Sequence, residues 1–533
     1  MSSIKTKHLI RIEELQKAGK FREALQLVSF LEERQDLPLH HRLTIQILKG
    51  NILIDLGLFD EALKIAKFLR ESKGEERHLL LVDILSLEAK ALWHLGRLDN
   101  SLNLVVQGEQ LLKSLADEQS PDFIRRTIRL TNCKGEIYWA QGNLDQALEC
   151  FEQNLALGQH LNNKEEIAES LHNLAAIYHT KGDLDYALEH FQKSLALSEE
   201  HGNKQLFAAT LLSIGSIYTT KGDLELALDY LRRSLKVFKE LSNQHYIATS
   251  LRCIGRIYQR KGELNPALDY LEQSLVLFEE IGNRLYLSGV LFSLISVAID
   301  KKDLDRAQKY LQQLQEINIQ EENRSINQRC LLAEALIQKT NLRPKTKLEA
   351  QHIFAQVANE TIVDHELTVI AILNLCELLI YELKLSSEQE ILEELQPQIT
   401  RLFDIAQQQQ SLPLAVQTIW LRSQLALVEL DVSKAEQLLH QAQTTATKHG
   451  LHRLAAIITK EQERLSAQAR EWNVVSHHEV PILERLRRTR LEELLGLMWQ
   501  NRVEHHFMQV HNIEMTDEKV EAFVDMLDKQ YSS

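Results

Sequence analysis

Three arginines recur at intervals of four residues near the middle of the chain. Arg252, Arg256 and Arg260 occupy positions i, i+4 and i+8, so on a helix they form one strip along one face. Each guanidinium can hold a carboxylate through two parallel hydrogen bonds. The chain is acidic overall, with a formal charge of −14. The strip therefore predicts a site that attracts a carboxylate-bearing partner.

No local motif for catalysis or cofactor binding is present. The sequence lacks Gly-x-Ser-x-Gly, a phosphate-binding Gly-Lys-Ser/Thr loop, His-Glu-x-x-His and a dinucleotide fingerprint. Adjacent histidines such as His40 and His41 point about 100° apart on a helix, which disfavours chelation of one ion. We therefore expect no enzymatic activity, no metal and no cofactor. A cysteine–histidine pair assembled by the fold is the alternative.

Composition narrows the class of protein further. Only 19 glycines and 7 prolines occur among 533 residues, which disfavours disordered, collagen-like and turn-rich β chains. The excess of acidic over basic residues, 75 against 61, disfavours a general nucleic-acid binder. Five widely spaced cysteines without Cys-x-x-Cys indicate a reducing compartment. With no signal peptide or membrane-spanning run visible, we expect a cytoplasmic protein without membrane insertion.

A short pattern recurs every 40 residues through the centre of the chain. Its glycines are Gly142, Gly182, Gly222 and Gly262, and the alanines five residues later are Ala147, Ala187, Ala227 and Ala267. Weaker copies begin at Gly19, Gly57, Gly96 and Lys302. A repeat of this length indicates a stacked array of small units.

Each part of the pattern has a physical cause. Apolar residues three and four apart predict a helix before each glycine, and the glycine permits the left-handed conformation that ends it. The alanine indicates that two helices cross closely. A side-chain oxygen is expected to cap the second helix, from Asp145, Asp185, Asn265 or Asp305. Pro266 is then expected at a first helical position.

These residues resemble the tetratricopeptide repeat (TPR) family. Further matches are Gly135, Gly215 and Gly255, seven residues before their turns, and Tyr138, Tyr178, Tyr218 and Tyr258. The 40-residue period is similar to the long-repeat arrays of kinesin light chain, spindle-orientation adaptors and the sensor arms of bacterial transcription activators. The resemblance implies an all-α, right-handed superhelical solenoid with a C-terminal helical tail.

Four regions are predicted along the chain. Residues 1–127 hold divergent repeats, 128–320 the core repeats, 321–473 degenerate repeats with a closing helix, and 474–533 the tail. A separate helical domain starting near residue 325 is the alternative to continued repeats. The apolar stripe of the tail leaves three roles open: capping the solenoid, self-association, or docking in the groove.

The resemblance also implies where a partner binds. In TPR arrays the first helix of each repeat lines an inner, concave wall that binds peptides. On that wall it places Arg252, Arg256, Arg260, Asn132, His172, Asn173, His179 and Phe292, with Glu136 and Glu169 beside them. A partner with acidic and hydrophobic residues would suit the arginines and Phe292. The alternative is that the arginines pair with acidic residues of a neighbouring repeat.

We therefore expect a non-enzymatic scaffold or adaptor that holds a peptide or helix of a partner protein in the concave groove. The alternative is a ligand-responsive signalling regulator, in which a peptide or metabolite changes the superhelix and releases or docks the tail.

Overall fold

The computed structural model describes residues 2–34, 37–71, 78–115, 120–321, 323–341, 343–360, 364–386, 389–428 and 431–475. These ranges contain 23 α-helices and no strand, so the all-α prediction is confirmed. None of the described helices is both long and apolar enough to cross a lipid bilayer.

The first twelve helices, α1 to α12, are Ser2–Lys17, Phe21–Glu32, Leu39–Asp55, Phe59–Glu71, His78–His94, Leu98–Leu115, Pro121–Ala140, Leu144–His160, Lys164–Lys181, Leu184–Glu200, Lys204–Lys221 and Leu224–Leu241. The remaining helices, α13 to α23, are Gln244–Lys261, Leu264–Ile281, Arg284–Asp300, Leu304–Gln320, Arg324–Lys339, Pro344–Asn359, His365–Ser386, Gln389–Gln408, Leu412–Val428, Val432–Lys448 and His452–Val475. Odd-numbered helices are the first helices of their repeats, and even-numbered ones up to α22 are the second helices.

Two compact units divide the chain. Unit 1 comprises Met1–Ile372 and Gln408–Ser411, and unit 2 comprises Leu373–Gln407 and Leu412–Ser533. Unit 2 has its own apolar core, in which Val416 of α21, Leu439 of α22 and Ile458 of α23 pack together. The candidate site lies in unit 1.

The turn glycines end the first helices as predicted. Gly182 follows α9 with φ of +93°, and its N–H bonds to the carbonyl of His179 at 3.1 Å. Side chains other than glycine rarely adopt this left-handed conformation. Lys302 adopts it nonetheless, with φ of +60°, at the corresponding place after α15.

The predicted caps of the second helices are wrong. Those helices begin two residues earlier than expected, directly after the turn, so Asp145, Asp185, Asn265 and Asp305 lie inside their first turns. Asp303, not Asp305, accepts the capping hydrogen bond, from the N–H of Arg306 at 3.1 Å. Pro266 is accordingly the third residue of α14 and not the first.

Residues in the first turns of the second helices, three of them mispredicted as caps, instead tie one repeat to the next. Lysines at the ends of first helices donate to side chains 36 residues earlier in the chain. The pairs are Lys181–Asp145 at 2.9 Å, Lys221–Asp185 at 2.7 Å, Lys261–Glu225 at 2.9 Å and Lys301–Asn265 at 2.6 Å. Because these pairs are largely exposed, each contributes about 0–1 kcal/mol. These pairs align consecutive repeats with each other and add little to the free energy of unfolding.

Close helix crossings hold each pair of helices together. Ala267 is completely buried, and a Cβ added to Gly255 would lie 3.0 Å from the Ala267 carbonyl oxygen and 2.8 Å from Leu271 Cγ. Any larger residue at position 255 would force α13 and α14 apart. Ala350 of α18 and Ala435 of α22 are also completely buried.

The region 321–473, predicted to hold degenerate repeats and a closing helix, contains helices α17 to α22 and most of α23. The predicted tail, 474–533, lies outside the described residues from residue 476 onward. The question of whether the tail caps, self-associates or docks therefore concerns residues that the structure does not describe.

A second set of contacts within unit 1 joins residues far apart in the chain. Asn243, at the start of α13, donates its side-chain amide to the carbonyl of Asp55 at the end of α3, 188 residues away. Asn323 makes the same contact to the carbonyl of Ala140 at 3.3 Å. Ser411 donates to the carbonyl of Thr220 at 2.7 Å. The array of unit 1 thus returns onto itself after about five repeats.

Asn243 has two separate tasks, and one substitution distinguishes them. Its Oδ1 caps α13 by accepting from the N–H of Tyr246, and its amide reaches Asp55. Asn243→Asp keeps the cap but replaces the donor with a carboxylate facing a carbonyl. Because the side chain is only 2% exposed, we expect the free energy of unfolding to fall by about 1–3 kcal/mol in urea titrations.

Asn163 is the matched control. It caps α9 through Oδ1, with the Glu165 N–H at 3.1 Å, and its amide makes no hydrogen bond to the described residues. Aspartate caps helices as well as asparagine does, so Asn163→Asp should change stability little. If the free energy of unfolding fell equally in the two variants, the contact with Asp55 would contribute nothing to stability.

Candidate functional site

The arginine strip lies on α13 and is partly exposed along its length. Arg256 and Arg260 both form ion pairs with Glu366, at the start of α19, and Arg260 also donates to the Thr219 carbonyl at 3.2 Å. Glu366 is 106 to 110 residues further along the chain. Arg256 and Arg260 are therefore paired within the chain, as the alternative expected, and the carboxylate of these ion pairs comes from a distant repeat rather than a neighbouring one.

Arg252 differs from the other two arginines. It forms no ion pair or hydrogen bond with the described residues, and its Nε is buried without a partner. Its Nη1 lies 3.2 Å from the place a Cβ on Gly289 would occupy, and Arg329 Nε lies 3.9 Å from the same point. Two guanidiniums therefore converge above a residue without a side chain.

Carboxylates do not balance the arginines here. Arg329 lies 3.7 Å from Asp364 and donates to Ser288 at 3.3 Å. Two carboxylates, those of Asp364 and Glu366, therefore lie near four guanidiniums. These belong to Arg252, Arg256, Arg260 and Arg329. Burial alone would raise the pKa of Glu366, but the arginines hold it at about 2. Burial lowers the pKa of Arg329, and Arg252 lowers it further. This part of the wall carries an excess of positive charge.

The predicted asparagines form a chain with an acidic residue. Asn173 donates to Asn132 Oδ1 at 2.7 Å, and Asn132 donates to Glu169 at 3.0 Å. All three lie on first helices and are partly exposed. The structure brings these three side chains together, and their polar groups hydrogen-bond to one another.

The other predicted site residues are more involved in packing. His172 has its Nδ1 3.0 Å from Thr210 Oγ1, and burial lowers its pKa to about 4. Burial also lowers the pKa of His179. The charge of Glu366 raises this pKa and that of Arg256 lowers it. Phe292 packs against the core around α13 to α17 but stays partly exposed.

An acidic cluster on the same wall was predicted only in part. It consists of Asp55 of α3, Glu136 of α7 and Glu169 of α9 around the ammonium of Lys90 on α5. Burial raises the pKa of Glu136 to about 7, against the effect of Lys90. The sequence held a signal for Lys90, because it precedes Gly96 by six residues, as Glu136 precedes Gly142 and Arg256 precedes Gly262.

The described residues contain no group of three or more histidine, cysteine, aspartate or glutamate side chains that could hold a metal ion. The five cysteines are all buried and form no disulfide. Burial raises the pKa of Cys133 to about 12. The Cys133 thiol therefore remains protonated near neutral pH.

Two family models match the chain. One, described as tetratricopeptide repeat, matches residues 126–200, and the other, described as MalT-like TPR region, matches residues 169–402. No curated protein matches the sequence significantly.

Several solved structures are similar in fold. A Rap protein complexed with Competence and Sporulation Factor is 16% identical, with 81% of this chain and 99% of that chain covered and a TM-score of 0.41. NprR in complex with its cognate peptide NprX is 17% identical, with 67% and 98% covered and a TM-score of 0.48. Aspartyl phosphate phosphatase F from Bacillus subtilis is 16% identical, with 67% and 93% covered and a TM-score of 0.40. At these identities the similarity concerns helical architecture alone.

The Glu366 ion pairs give a prediction about stability. Glu366→Gln should lower the free energy of unfolding by about 1 kcal/mol at pH 7, a small value because the side chain is 40% exposed and water screens the charge. The pKa of Glu366, about 2, lies below its ordinary value of 4.5. The stabilisation is therefore complete above pH 4.5 and disappears as the pH falls towards 2.

Urea titrations of the wild type and the variant at several pH values measure this effect. The difference in the free energy of unfolding between the wild type and Glu366→Gln should be constant from pH 5 to pH 8 and shrink below pH 4.5. Glu61→Gln, at an exposed position on α4, is the control and should show no difference. A difference that grows as the pH falls would contradict the assignment.

Proposed function

Because residues 126–402 are tetratricopeptide repeats, we propose that the chain is a non-enzymatic adaptor whose inner wall in unit 1 binds an acidic segment of a partner protein or peptide. The proposal joins the family's general mode of peptide recognition to the charges on this particular wall. The partner's acidic side chain would lie against Arg252 and Arg329.

The unpaired guanidinium of Arg252 is the observation that carries the proposal. A charged group of this kind is stabilised by an anion, and Nε is buried without an acceptor among the described residues. Arg329 approaches the same point above Gly289, so an incoming carboxylate would meet two guanidiniums at once. Such charge-assisted hydrogen bonds are among the stronger polar contacts in proteins.

Arg256 and Arg260 have a different role in this proposal. Glu366 already pairs with both, so a ligand carboxylate would have to displace it to reach them. They position the strip and supply long-range positive potential. Arg252 is therefore the better residue to test, because its substitution removes no described hydrogen bond.

The wall near Arg252 also offers apolar contact. Phe292 on α15 is partly exposed and is fixed by the core beneath it. A hydrophobic residue of the ligand beside its acidic residue could cover this ring. Burial of apolar area would then supply affinity, and the guanidiniums would supply specificity for the acidic residue.

Binding of defined peptide pools tests the proposal. Three pools of seven-residue peptides, acetylated and amidated, would each carry a leucine next to glutamate, glutamine or lysine. We expect the glutamate pool to bind most tightly in fluorescence anisotropy. Arg252→Gln should weaken that binding about tenfold, which corresponds to about 1.4 kcal/mol, and should leave the glutamine pool unaffected.

Arg233→Gln is the matched control. Arg233 lies on the second helix α12, is 53% exposed, and forms an ion pair with Asp229 beside the ring of Tyr230. This variant has the same change in net charge and should bind the glutamate pool as the wild type does. Equal effects of the two variants, or no preference for glutamate, would overturn the proposal.

A further inference from the structure

Several hydrogen-bond donors of Arg252 and Arg329 have no acceptor among the described residues. Nε of Arg252 is buried without a partner. Arg329 donates through Nη1 to Ser288 at 3.3 Å, and its Nη2 lies 3.7 Å from Asp364, which leaves its Nε. Nη1 of Arg252 and Nε of Arg329 lie 3.2 Å and 3.9 Å from the point that a Cβ on Gly289 would occupy. Donors of two cations therefore converge on one point of the wall.

The two carboxylates in this part of the wall are engaged elsewhere. Oδ1 of Asp364 accepts from the backbone N–H of Glu366 at 3.0 Å. The carboxylate of Glu366 pairs with the two other arginines of the strip. The distance of 3.7 Å between Asp364 and Arg329 is too long for a hydrogen bond. Neither carboxylate therefore satisfies the donors that converge above Gly289.

Tyr286 adds a neutral donor near both guanidiniums. It lies on α15 three residues before Gly289, so the two residues share one face of that helix. Burial raises the pKa of Tyr286, and the charges of Arg252 and Arg329 lower it. Its hydroxyl makes no hydrogen bond to the described residues. A phenol that can donate to an anion thus lies within the influence of both cations.

A phosphate group matches these donors better than a carboxylate does. At pH 7 a phosphorylated side chain carries about two negative charges, and it presents three acceptor oxygens on one atom. A carboxylate has a single charge and two oxygens. Two separate carboxylates brought to the same point would repel each other. One doubly charged group meets both guanidiniums without that repulsion.

We propose that the point above Gly289 binds the phosphate group of a phosphorylated side chain on the partner, held by Arg252 and Arg329. This inference rests on the proposed function and names the chemical class of the acidic residue that the wall recognises. Gly289 leaves space for the phosphate because it has no side chain. Phe292, three residues further along α15, is available to a hydrophobic neighbour of the phosphorylated residue.

Four peptides that differ at one site test the inference. Each is seven residues long, acetylated and amidated, with a leucine next to phosphoserine, O-sulfoserine, one glutamate or two adjacent glutamates. A sulfate ester has the shape and the three terminal oxygens of the phosphate but only one charge. In fluorescence anisotropy at pH 7.5, we expect phosphoserine to bind about tenfold more tightly than each of the other three.

The pH dependence separates charge from shape. Phosphoserine loses its second negative charge below a pKa of about 6, whereas the sulfate ester stays singly charged. The affinity ratio of the phosphoserine to the O-sulfoserine peptide should therefore fall from about tenfold at pH 7.5 towards about twofold at pH 5. A ratio that stays constant over this range would contradict recognition of a doubly charged group.

The wall's own titrations do not mimic this fall. As the pH is lowered, Glu136, with a pKa of about 7, loses its negative charge, and His179 gains a positive one. Both changes favour the more highly charged ligand and would raise the ratio. Glu366, with a pKa of about 2, stays ionised, and Tyr286, whose pKa burial raises, stays protonated. A falling ratio is therefore due to the phosphate itself.

Two variants locate the phosphate. Gly289→Ala puts a methyl group at the convergence point, where it meets only the flexible ends of Arg252 and Arg329. Alanine favours a helix more than glycine does, so stability in urea should not fall, whereas the phosphoserine peptide should bind about tenfold more weakly. Arg252→Gln should weaken binding of all four peptides, and Arg233→Gln, the control, should weaken none.

The outcomes separate this inference from the proposed function. If phosphoserine binds no more tightly than O-sulfoserine or two glutamates, or if Gly289→Ala leaves its affinity unchanged, the inference is overturned. The proposed function then still stands, provided that the glutamate peptide binds in a manner that depends on Arg252. If no peptide depends on Arg252, both are overturned.

Discussion

A buried apolar cluster that joins α1 to α3 with α11 to α13 brings distant first helices of unit 1 onto one inner wall, and the amide of Asn243 lies at that junction. The side chain is almost completely buried and uses both of its polar atoms, one to cap α13 and one to bond the Asp55 carbonyl. That carbonyl belongs to the last turn of α3, where the backbone acceptors lack partners within their own helix. Residues 188 positions apart are thereby fixed against each other.

The consequence is a wall with two kinds of charge. Acidic residues come from α3, α7 and α9, and basic residues come from α13 and α17. In an array held only by contacts between neighbouring repeats, these regions would lie far apart. Because α13 begins where α3 and α5 end, the charges of Glu136 and Arg252 both act on the pKa of Tyr286.

Sequence reasoning was most successful where contacts are local. The 40-residue period, the left-handed glycines and the crossing alanines all depend on residues within one repeat, and each appears in the structure as predicted. The caps were misplaced because Asp145 and its equivalents lie two residues inside the helix. A 40-residue series of asparagines, at positions 163, 203, 243, 283 and 323, was available in the sequence and marks the true caps of the first helices.

The candidate site was harder to predict because its partners are distant. The arginine strip could be recognised from spacing on one helix, but its carboxylate, Glu366, lies in a degenerate repeat about 110 residues away. Lys90 was missed because the glycine interval from Gly96 to Gly142 is 46 residues, which obscured the register of α5. Only the return of the array onto itself brings these residues together, and no single repeat encodes that return.

Hydrogen exchange of the full chain, with and without the acetylated and amidated peptides that carry a leucine next to glutamate, tests most directly whether this wall is where a ligand binds. The proposed function predicts slower exchange confined to the first helices α13, α15 and α17, which carry Arg252, Phe292 and Arg329. It predicts unchanged exchange in the second helices α8, α10 and α12. Protection centred on those second helices would contradict it, as would binding that protects no first helix of unit 1.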